Sequence, residues 1–595
     1  MQTSAPAKFF IGLLFSGAAV AAPAPDPPEI RWRGWSDGAF ERARSEKRLV
    51  ILDLVAVWCH WCHVMEETTY RDPEVVRQIR EHFVAVRVDQ DSRPDLSNRY
   101  EDYAWPATVI FDAGGTELVK FAGYIPPARM RALLEGVVAD PTPGPSIRPE
   151  APMTGSAAAL SPELREELAS LLLERYDKEL GGWGFSKKYL DWDSVEYCLA
   201  RAREGDRDAG RMARETLTRS RQLIDPIWGG LYQYSDSGDW EHPHFEKLLQ
   251  FQAEGIRLYA QAYAQWKDPN DLQAARDILR YVRAFLKSPE GAFYVSQDAD
   301  LIAGEHSGEY YALDDAARRR RGIPRVDTHL YARESAWMAH ALVSLYAVTG
   351  EAPILEESLY AARWIVAHRA LAGGGFRHDA ADAAGPYLGD AVSAGRAFLA
   401  LWAATGDRAW LTRSRETAGF IAKTFVVAGA PGLISAVPQG RFTQPRPQRD
   451  ETVDAARWAN LLFQYTGDAA YRRLAEQAMA FLALPDVARR FSTASVLLAD
   501  SELGSAPPHL TVVGRREDAG ARSLLAAAVS DAGSYKRVEL WDRREGALPN
   551  LDVEFPELDR PAAFVCADGR CSLPAFTPEE LAKRIARLRS SAVTP

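Results

Sequence analysis

The sequence predicts a multidomain protein: an α/β domain, then a large all-α toroid of the (α/α)6 type, then a small C-terminal α/β segment. A chain of 595 residues is too long for one core. Strand and helix patterns alternate over residues 30–140, whereas residues 159–500 have an almost purely helical pattern. A linker rich in Pro, Gly and Ser, residues 141–158, separates these two regions, and residues 501–595 return to mixed strands and helices.

Composition and charge exclude several classes of protein. Hydrophobic residues at 47% and charged residues at 26% are typical of a globular chain. The formal net charge of −10 argues against nucleic acid as a partner, because phosphate binding needs a basic face. The one short basic run, residues 318–321, is typical of a solvated helix end.

The first residues are typical of an export signal. Lys8 precedes an apolar stretch over residues 9–22, and small residues at 19–21 offer a cleavage site, so residues 1–21 are predicted to be a signal peptide. The stretch is short for a membrane span, although an uncleaved anchor is the alternative. We expect an exported protein, periplasmic or secreted, with no integral membrane segment after signal removal. Cysteine pairs form disulfides in such a compartment.

The pattern of the first domain predicts a mixed sheet with helices on both faces. A buried apolar run begins it, a helical stretch ends near Pro73, and Gly114-Gly115 joins two strands as a hairpin. The predicted strands cover residues 49–57, 83–88, 107–112 and 116–121, and the predicted helices cover residues 64–70, 94–103 and 126–138.

The helical region carries a loose internal repeat. Its predicted helices include residues 162–176, 245–266, 272–286, 331–348 and 455–465. Between helices recur loops with glycine followed by a large apolar residue, such as Gly181-Gly182-Trp183 and Gly374-Gly375-Phe376. Stacked helical hairpins produce a repeat of this kind, and about six hairpins closed in a ring form the toroid. In the last segment, strands are predicted at 510–513, 537–541 and 562–566, and helices at 519–528 and 578–588.

Cys59 and Cys62 are the residues tied most directly to chemistry. Cys59-His60-Trp61-Cys62 follows the first strand and opens a helix, where the helix dipole and free N–H groups stabilise a thiolate. Cys62, one turn later, is placed to resolve a mixed disulfide on Cys59. A cationic His60 or His63 would lower the pKa of Cys59 and favour the dithiol.

We therefore hypothesise a reduction potential more oxidising than the roughly −270 mV of thioredoxin. The aromatic residues predicted to tune the pair together with these histidines are Trp58, Trp61 and Trp105.

Two other uses of these residues are open. The run Cys59-His60-Trp61-Cys62-His63 matches the C-x-x-C-H haem attachment signature, although a strand precedes it where a haem protein would have a helical pocket. Zinc or copper is the second, but the second ligand pair of a structural zinc site is missing. We expect no metal and no cofactor.

The remaining cysteines form a second close pair and a single residue. Cys566 and Cys571 bracket a tight turn, and the sequence leaves open a structural disulfide or a pair that exchanges with the first domain. Cys198 lies on an apolar helix face and is interpreted as a small buried residue.

Polar and aromatic residues gather in the toroid loops. Paired carboxylates beside aromatic rings are what sugar chemistry uses, although helix caps and solvated loop charges account for any single residue equally well. The residues predicted to line a toroid cavity are Trp183, Trp240, His242, His244, Glu246, Asp298, Asp300 and Glu309.

The first domain resembles thioredoxin at three further positions. Asp53 lies six residues before Cys59, where the resemblance implies a buried carboxyl that helps to move protons. Trp105-Pro106 is similar to the cis-proline turn of thioredoxin, which implies that Pro106 shapes the substrate groove. Gly123 would be the matching glycine after the last strand.

The mature chain resembles the spermatogenesis-associated protein 20 family, in which a thioredoxin-like domain is joined to a six-hairpin, glycosidase-like toroid. The matching stretches are 59–66, 105–106, 243–247, 297–300 and 564–566 with Cys571. The sequence differs from the family pattern at residues 331–335 and 450–454. The resemblance implies the architecture more than any reaction.

Three hypotheses for function follow. The first is thiol–disulfide exchange with a protein partner, in which Cys59 attacks and Cys62 resolves, while the toroid binds a carbohydrate or a protein. The second is a carbohydrate-active enzyme of the epimerase, isomerase or glycoside hydrolase type, which uses His244, Glu246, Asp298 and Asp300. The third is a non-catalytic binding scaffold.

Overall fold

The computed structural model describes residues 1–2, 29–100, 104–147, 153–567 and 570–592, which form three units in chain order. An α/β domain comes first, a ring of helical hairpins second and a small α/β unit last, so the predicted fold class is confirmed. The predicted signal peptide, residues 1–21, lies almost wholly outside the described residues. Within those residues, no helix combines the length and apolar content that a membrane crossing requires.

The first domain is built on a four-stranded sheet with the order β2-β1-β3-β4. Its elements are α1 (Asp37–Glu46), β1 (Leu49–Val55), α2 (His60–Thr68), α3 (Pro73–His82), β2 (Phe83–Asp89), α4 (Pro94–Arg99), β3 (Ala107–Phe111), β4 (Glu117–Ala122) and α5 (Pro127–Ala139). Strand β1 runs parallel to β2 and antiparallel to β3. It is buried on both faces, which is why its sequence is a continuous apolar run.

Two helices of this domain are absent from the sequence prediction, α1 and α3. Pro73 begins α3, because a proline at the first helical position has no N–H to leave unsatisfied. The Asp72 carboxylate caps the same helix by accepting the backbone N–H groups of Glu74 and Val75. Further along, α4 ends at Arg99, before the predicted end at residue 103.

The second unit is a closed ring of paired helices. Its helices are α6 (Pro162–Glu174), α7 (Trp192–Arg203), α8 (Arg207–Ser220), α9 (Leu249–Trp266), α10 (Pro269–Tyr281), α11 (Gly308–Tyr311), α12 (Asp315–Arg321), α13 (Ala332–Thr349), α14 (Ala352–His368), α15 (Leu388–Thr405), α16 (Arg408–Thr424), α17 (Arg449–Thr466), α18 (Ala469–Leu482), α19 (Pro485–Ala488) and α20 (Thr493–Gly504). Helices α7, α9, α13, α15, α17 and α20 contact one another in a circle and form the inner wall. Each packs on one outer helix, and α6 closes the ring against α20.

A recurring turn joins inner to outer helices. Inner helices α13, α15 and α17 each end on a glycine in the left-handed region, for example Gly406 with φ of 67°. At α16 and α18 the next residue, Asp407 or Asp468, caps the outer helix with its carboxylate. The turn can be this tight because glycine adopts this φ without strain. The aspartate carboxylate then accepts a backbone N–H group of the first helical turn, which has no acceptor within the helix.

The glycine–aromatic loops join outer helices to the next inner helix. Trp183, Leu231, Phe293 and Phe376 each form a short antiparallel bridge back to the end of the preceding outer helix. All four side chains are buried in the ring core. The loop repeat therefore packs the hairpins together. Five two-residue strands also lie in these connections, β5 (Tyr234–Ser235), β6 (Pro243–His244), β7 (Lys247–Leu248), β8 (Ser296–Gln297) and β9 (Val326–Asp327).

The third unit has a four-stranded sheet with the order β11-β10-β12-β13. It comprises β10 (His509–Val513), α21 (Ala519–Val529), β11 (Arg537–Trp541), β12 (Ala562–Ala567), β13 (Arg570–Cys571) and α22 (Pro578–Ala592). As in the first domain, the second strand of this sheet order runs parallel to the first and antiparallel to the third. The unit has a core of its own, and its edge strand β11 is hydrogen bonded to the Tyr465 hydroxyl of the ring.

The two α/β units lie at opposite ends of the ring. Residues of the first domain meet the N-terminal turns of the inner helices, and residues 529–538 of the third unit meet their C-terminal turns. Phe442 of the ring stacks on Phe40 with ring centroids 4.0 Å apart, and the Asn98 amide donates to the Glu451 carboxylate at 3.1 Å. The first domain is therefore docked on the ring by apolar and polar contacts together.

Candidate functional site

The cysteine pair lies at the start of α2. Cys59 is the N-cap residue, and the backbone N–H of Cys62 points at its Sγ at 3.1 Å. The two sulfurs form a disulfide, with Cα atoms 5.2 Å apart. A sulfur at this position faces the positive end of the helix dipole, so its thiolate is stabilised whenever the disulfide is opened.

The loop before β3 lies against the pair. The Trp105–Pro106 peptide bond is cis, and the carbonyl of Pro106 accepts the N–H of Gly123 at 2.8 Å. The Trp105 side chain packs on the small apolar cluster that contains both cysteines. Two of the three positions picked out by the resemblance, the Trp105–Pro106 turn and Gly123, are thus hydrogen bonded to each other, and Trp105 lies against the cysteine cluster.

Asp53 is buried in β1 and forms an ion pair with Arg87, whose Nε is 2.9 Å from its carboxylate. Burial raises the pKa of Asp53, although the charge of Arg87 opposes that shift. Its other oxygen, Oδ1, has no hydrogen-bond partner among the described residues. Asp53 is therefore a buried carboxyl with a readily protonated form.

The aromatic residues predicted to tune the pair lie in different surroundings. The Trp58 indole N–H donates to the Asp91 carboxylate at 2.8 Å in the domain interior. Trp61 is 41% exposed and stacks on Tyr124. Only Trp58 and Trp105 belong to the cysteine cluster itself.

Both histidines of the motif bind one carboxylate of the ring. His60 Nδ1 donates to Asp300 at 2.7 Å, and His63 Nδ1 donates to the other oxygen of Asp300 at 3.1 Å. Despite burial, these bonds lower the pKa of Asp300 to about 2, and Asp300 with Asp298 raises the pKa of His63. Helix α2 is therefore tethered to the ring by charge-assisted hydrogen bonds.

Asp298 completes this cluster. Its carboxylate lies 3.7 Å from His63, and burial raises its pKa to about 7. The ligand atoms of His63, Asp298 and Asp300 lie within 4.8 Å of one another, a spacing that suits a divalent cation. The hydrogen bonds of Asp300 to His60, His63 and the Gly304 N–H already satisfy that carboxylate, so the absence of a metal stays a prediction.

Other residues predicted for a toroid cavity lie near this junction or on the surface. His244 stacks on Tyr234, binds Asp236 at 2.5 Å and lies 3.9 Å from the buried Glu246. His242 pairs with Asp239 in the exposed loop, and Glu309 is exposed at the start of the short helix α11.

Trp183 and Trp240 have structural roles. Their indole N–H groups donate to the backbone carbonyls of Leu172 and Leu180, and both rings are buried in the ring core. None of the predicted residues is among those that line the central cavity of the ring. That these residues line a toroid cavity stays a prediction: the central cavity is walled mainly by inner helices, and Trp183 lines a separate pocket of the ring.

The central cavity has a volume of about 280 Å³ and lies between the ring and the first domain. The first domain contributes a few side chains to it, including Asp91, Asn98 and Trp105. The inner helices contribute tryptophans and charged residues of both signs, namely Trp192, Asp193, Glu254, Arg333, Glu334, Trp337, Arg396, Asp450, Glu451 and Asp454. Two stretches that differ from the family pattern, 331–335 and 450–454, thus contribute side chains to this wall.

One pattern in the sequence does indicate which residues line the central cavity. Arginines stand at the same distance from the starts of three inner helices, Arg257 in α9, Arg396 in α15 and Arg457 in α17. A charge on the buried face of an apolar helix needs a partner, which marks the centre of the ring.

These charges form a layer across the lumen. Glu196 binds Arg257 and Arg457 at 2.7 Å each, and Arg457 also binds Glu502 at 2.8 Å. Although burial opposes it, the two arginines hold the pKa of Glu196 well below its usual value. Glu196, Arg257 and Arg457 line both the central cavity and a second cavity of about 170 Å³ beneath the third unit.

The second cysteine pair is distant from the first. Cys566 and Cys571 form a disulfide between paired positions of β12 and β13, at the other end of the ring from Cys59. Exchange between the two pairs does not fit this arrangement, which favours the structural disulfide. Cys198 is a buried free thiol whose pKa is raised by burial.

The first domain matches known thioredoxin-like proteins. Residues 24–137 match the family model Thioredox_DsbH, described as a protein of unknown function, DUF255. A thioredoxin of Mycoplasmoides gallisepticum is 32% identical over 96 residues, which cover 91% of that protein and 16% of this chain. The chain belongs, through this domain, to the thioredoxin family.

Beyond the thioredoxin domain, the chain is homologous to proteins named spermatogenesis-associated protein 20. The protein of Homo sapiens is 28% identical over 312 residues, which cover 46% of this chain and 39% of that protein. An uncharacterized protein of Caenorhabditis elegans is 26% identical over 317 residues, 47% of this chain and 42% of its own length. The chain spans about two fifths of the length of these relatives.

The ring is similar in shape to solved toroids. A sugar epimerase from a ruminal bacterium has a TM-score of 0.43 and 15% identity, covering 54% of this chain and 86% of that chain. A D-mannose isomerase has a TM-score of 0.44 and 14% identity, covering 58% of this chain and 97% of that chain.

Proposed function

We propose that the protein performs thiol–disulfide exchange through Cys59 and Cys62 of its thioredoxin domain. The observation that carries the proposal is the disulfide at the start of α2, next to the cis Trp105–Pro106 turn. A sulfur at a helix N-terminus is an effective nucleophile and leaving group near neutral pH, because its thiolate is stabilised.

The exchange follows from the geometry of the pair. In the reduced protein the Cys59 thiolate attacks a partner disulfide, forms a mixed disulfide and releases one partner thiol. Cys62 then attacks the Cys59 sulfur, releases the second partner thiol and restores the disulfide of the structure. The N–H of Cys62 stabilises the Cys59 thiolate, and buried Asp53 is placed on the adjacent strand as an acceptor for a proton.

Cysteine substitution tests this proposal. Cys59→Ser should reduce dithiothreitol-driven reduction of an aromatic disulfide to the background rate, whereas Cys62→Ser should accumulate a mixed disulfide that mass spectrometry detects. A variant without the second pair, Cys566→Ser with Cys571→Ser, serves as the control and should keep the activity. Full activity of Cys59→Ser would overturn the proposal.

A carbohydrate ligand for the central cavity is a second proposal, supported by the tryptophans and carboxylates of its wall. Trp105, Trp192 and Trp337 offer ring faces, and carboxylates such as Glu334 offer acceptors for hydroxyl groups. Calorimetric titration of the protein with neutral and acidic sugars tests it. Trp337→Ala should weaken binding at least about tenfold, the usual cost of losing an aromatic contact. If titration with these sugars produced no heat of binding, the ring would be interpreted as a scaffold without a carbohydrate ligand.

A further inference from the structure

The disulfide of the thioredoxin domain is covered by the ring. Cys59 is 4% exposed and Cys62 is 6% exposed. Leu248, the residue that precedes inner helix α9, packs with Trp105 on the apolar cluster of the two cysteines. With His60 also bound to Asp300, the face that carries the disulfide packs against the ring, and both cysteines are almost wholly covered.

The residues that cover the disulfide also form the wall of the central cavity. Trp105 and Leu248 line that cavity and also pack on the cysteine cluster. Asp91 lines it too, and its carboxylate holds the indole of Trp58 in the same cluster. The cavity and the cysteine cluster are therefore adjacent and share side chains.

The cavity suits a small hydrophilic molecule. Its volume of about 280 Å³ lies just below the range for ligand pockets, roughly 300–1,000 Å³, which restricts the occupant to a small molecule. Glu334 is 2% exposed and lines the cavity, and its Oε2 has no hydrogen-bond partner within the part of the chain that the structure describes, while its Oε1 accepts from Arg333. An unpaired buried carboxylate oxygen is costly unless a ligand donates to it.

From these contacts we infer that the reaction partner of Cys59–Cys62 is a low-molecular-weight thiol with a hydrogen-bond-donating body, bound in the central cavity. The inference rests on the proposed exchange activity and names its substrate class. Amino groups and sugar hydroxyls both donate hydrogen bonds, so an amino-acid-based thiol and a thiosugar share the required chemistry.

The reaction is balanced without a further reagent. One bound thiolate attacks the Cys59 sulfur, forms a mixed disulfide and expels Cys62 as a thiolate. A second thiolate attacks the small-molecule sulfur of this mixed disulfide and expels Cys59. Two electrons pass from the two small thiols to the protein, which gains the two protons as its dithiol, and the small thiols leave as their disulfide. The reverse direction reduces that small disulfide.

Stopped-flow reduction of the full-length protein, followed by tryptophan fluorescence, tests the inference. The probes are 1-thioglucose, glutathione and, as a protein dithiol, reduced thioredoxin. The rate should saturate with the concentration of at least one small probe, and the protein dithiol should react at least tenfold more slowly than that probe. Saturation by 1-thioglucose alone identifies a sugar body, and saturation by glutathione alone identifies an amino-acid body.

Cavity variants separate this inference from the exchange activity itself. Glu334→Gln should raise the half-saturating concentration at least fivefold and leave the equilibrium reduction potential, measured against dithiothreitol, unchanged. Glu167→Gln makes the same chemical change on the outside of the ring and should alter neither quantity. Rates that rise linearly for both small probes, or a protein dithiol that reacts as fast as they do, overturn the inference. Failure of dithiothreitol to open the disulfide would instead overturn the proposed activity.

Discussion

At the scale of single residues, Asp300 sets the net charge beside α2, the helix that carries the cysteine pair. The prediction of a potential more oxidising than that of thioredoxin depends on a cationic His60 or His63 near the sulfurs. In the structure, one carboxylate accepts hydrogen bonds from both rings, so its negative charge offsets a positive one. We therefore expect the potential to lie closer to that of thioredoxin, about −270 mV, than the histidines alone predict. Equilibrium titration with glutathione measures it.

The coupling of His63 to Asp300 can be measured directly. In Asp300→Asn the pKa of His63 should fall towards its ordinary value of about 6.5, because the anion that stabilises the imidazolium is lost. Nuclear magnetic resonance of histidine-labelled protein over a pH series reports this shift. Asp239→Asn removes the partner of surface residue His242 and should leave His63 unchanged. An unaltered His63 titration in Asp300→Asn would contradict the assigned contact.

At the scale of elements, the inner helices approach one another closely at a glycine. A Cβ atom added at Gly395 in α15 would lie 2.3 Å from the ring of Trp458 in α17. Buried atoms at that distance must move, and two neighbouring helices of a closed ring have little freedom to separate. Gly395 therefore sets how tightly α15 and α17 pack.

Two matched substitutions test this packing. Gly395→Ala should destabilise the protein by about 1–3 kcal/mol, the usual cost of overfilling a packed core. Gly419→Ala, in outer helix α16, should stabilise it by up to about 1 kcal/mol, because open space surrounds that position and alanine favours the helix. Midpoints of thermal unfolding rank the two variants. A midpoint for Gly395→Ala above that of Gly419→Ala would refute the assigned contact.

Local patterns account for the elements that the sequence predicts well. The strand of β1, the cysteine pair and the Gly114-Gly115 hairpin each depend on neighbours within a few residues, and so do the alternating helices of the ring. The docking of the two regions has no such local signal. His60 and Asp300 are 240 positions apart, and nothing in the periodicity around either residue specifies the other.

The residues that line the central cavity could not be predicted from the sequence for a related reason. Loop residues such as His244 and Asp298 attract attention because they are clustered in sequence, yet they lie at the junction or on the ring surface. The residues that line the lumen, such as Asp193, Glu334 and Asp450, come in small groups from different inner helices. Only closure of the ring brings them together, and closure sums many contacts that no single window of sequence contains.

At the scale of the whole molecule, two sheets of the same strand order lie at the two ends of the ring. The third unit has Asp518 as N-cap of its first helix, α21, where the thioredoxin domain has Cys59 as N-cap of α2. Its own cysteines lie on β12 and β13. The proposed exchange chemistry therefore belongs to the end of the molecule that carries Cys59, since the third unit has no cysteine at the start of α21.

The junction between the ring and the thioredoxin domain contains a buried cation. His378 Nδ1 donates to the Asp390 carboxylate at 2.9 Å and Nε2 donates to the carbonyl of Asp91 at 2.7 Å. Because both ring nitrogens donate, the imidazole is protonated. Despite burial, Asp390 raises the pKa of His378 to about 9. The domain contact therefore depends on a charge that high pH removes.

Stability should depend on pH through this residue. Because the folded-state pKa of about 9 exceeds the unfolded value of 6.5, the contribution is complete below pH 6.5 and is lost as the pH rises through 9. The shift corresponds to about 3 kcal/mol. Thermal unfolding from pH 6 to 10 should show this loss in the natural protein and a flatter profile in His378→Gln. His368→Gln, at an exposed histidine of α14, should keep the natural profile, and identical profiles for all three proteins would disprove the assignment.

The ion pairs of Glu196 with Arg257 and Arg457 cross the lumen at the level where its two cavities share lining residues. A ligand of the central cavity is thereby confined to the half of the lumen next to the thioredoxin domain. The half beneath the third unit is a separate compartment, so its contents would not exchange with that ligand unless these ion pairs opened.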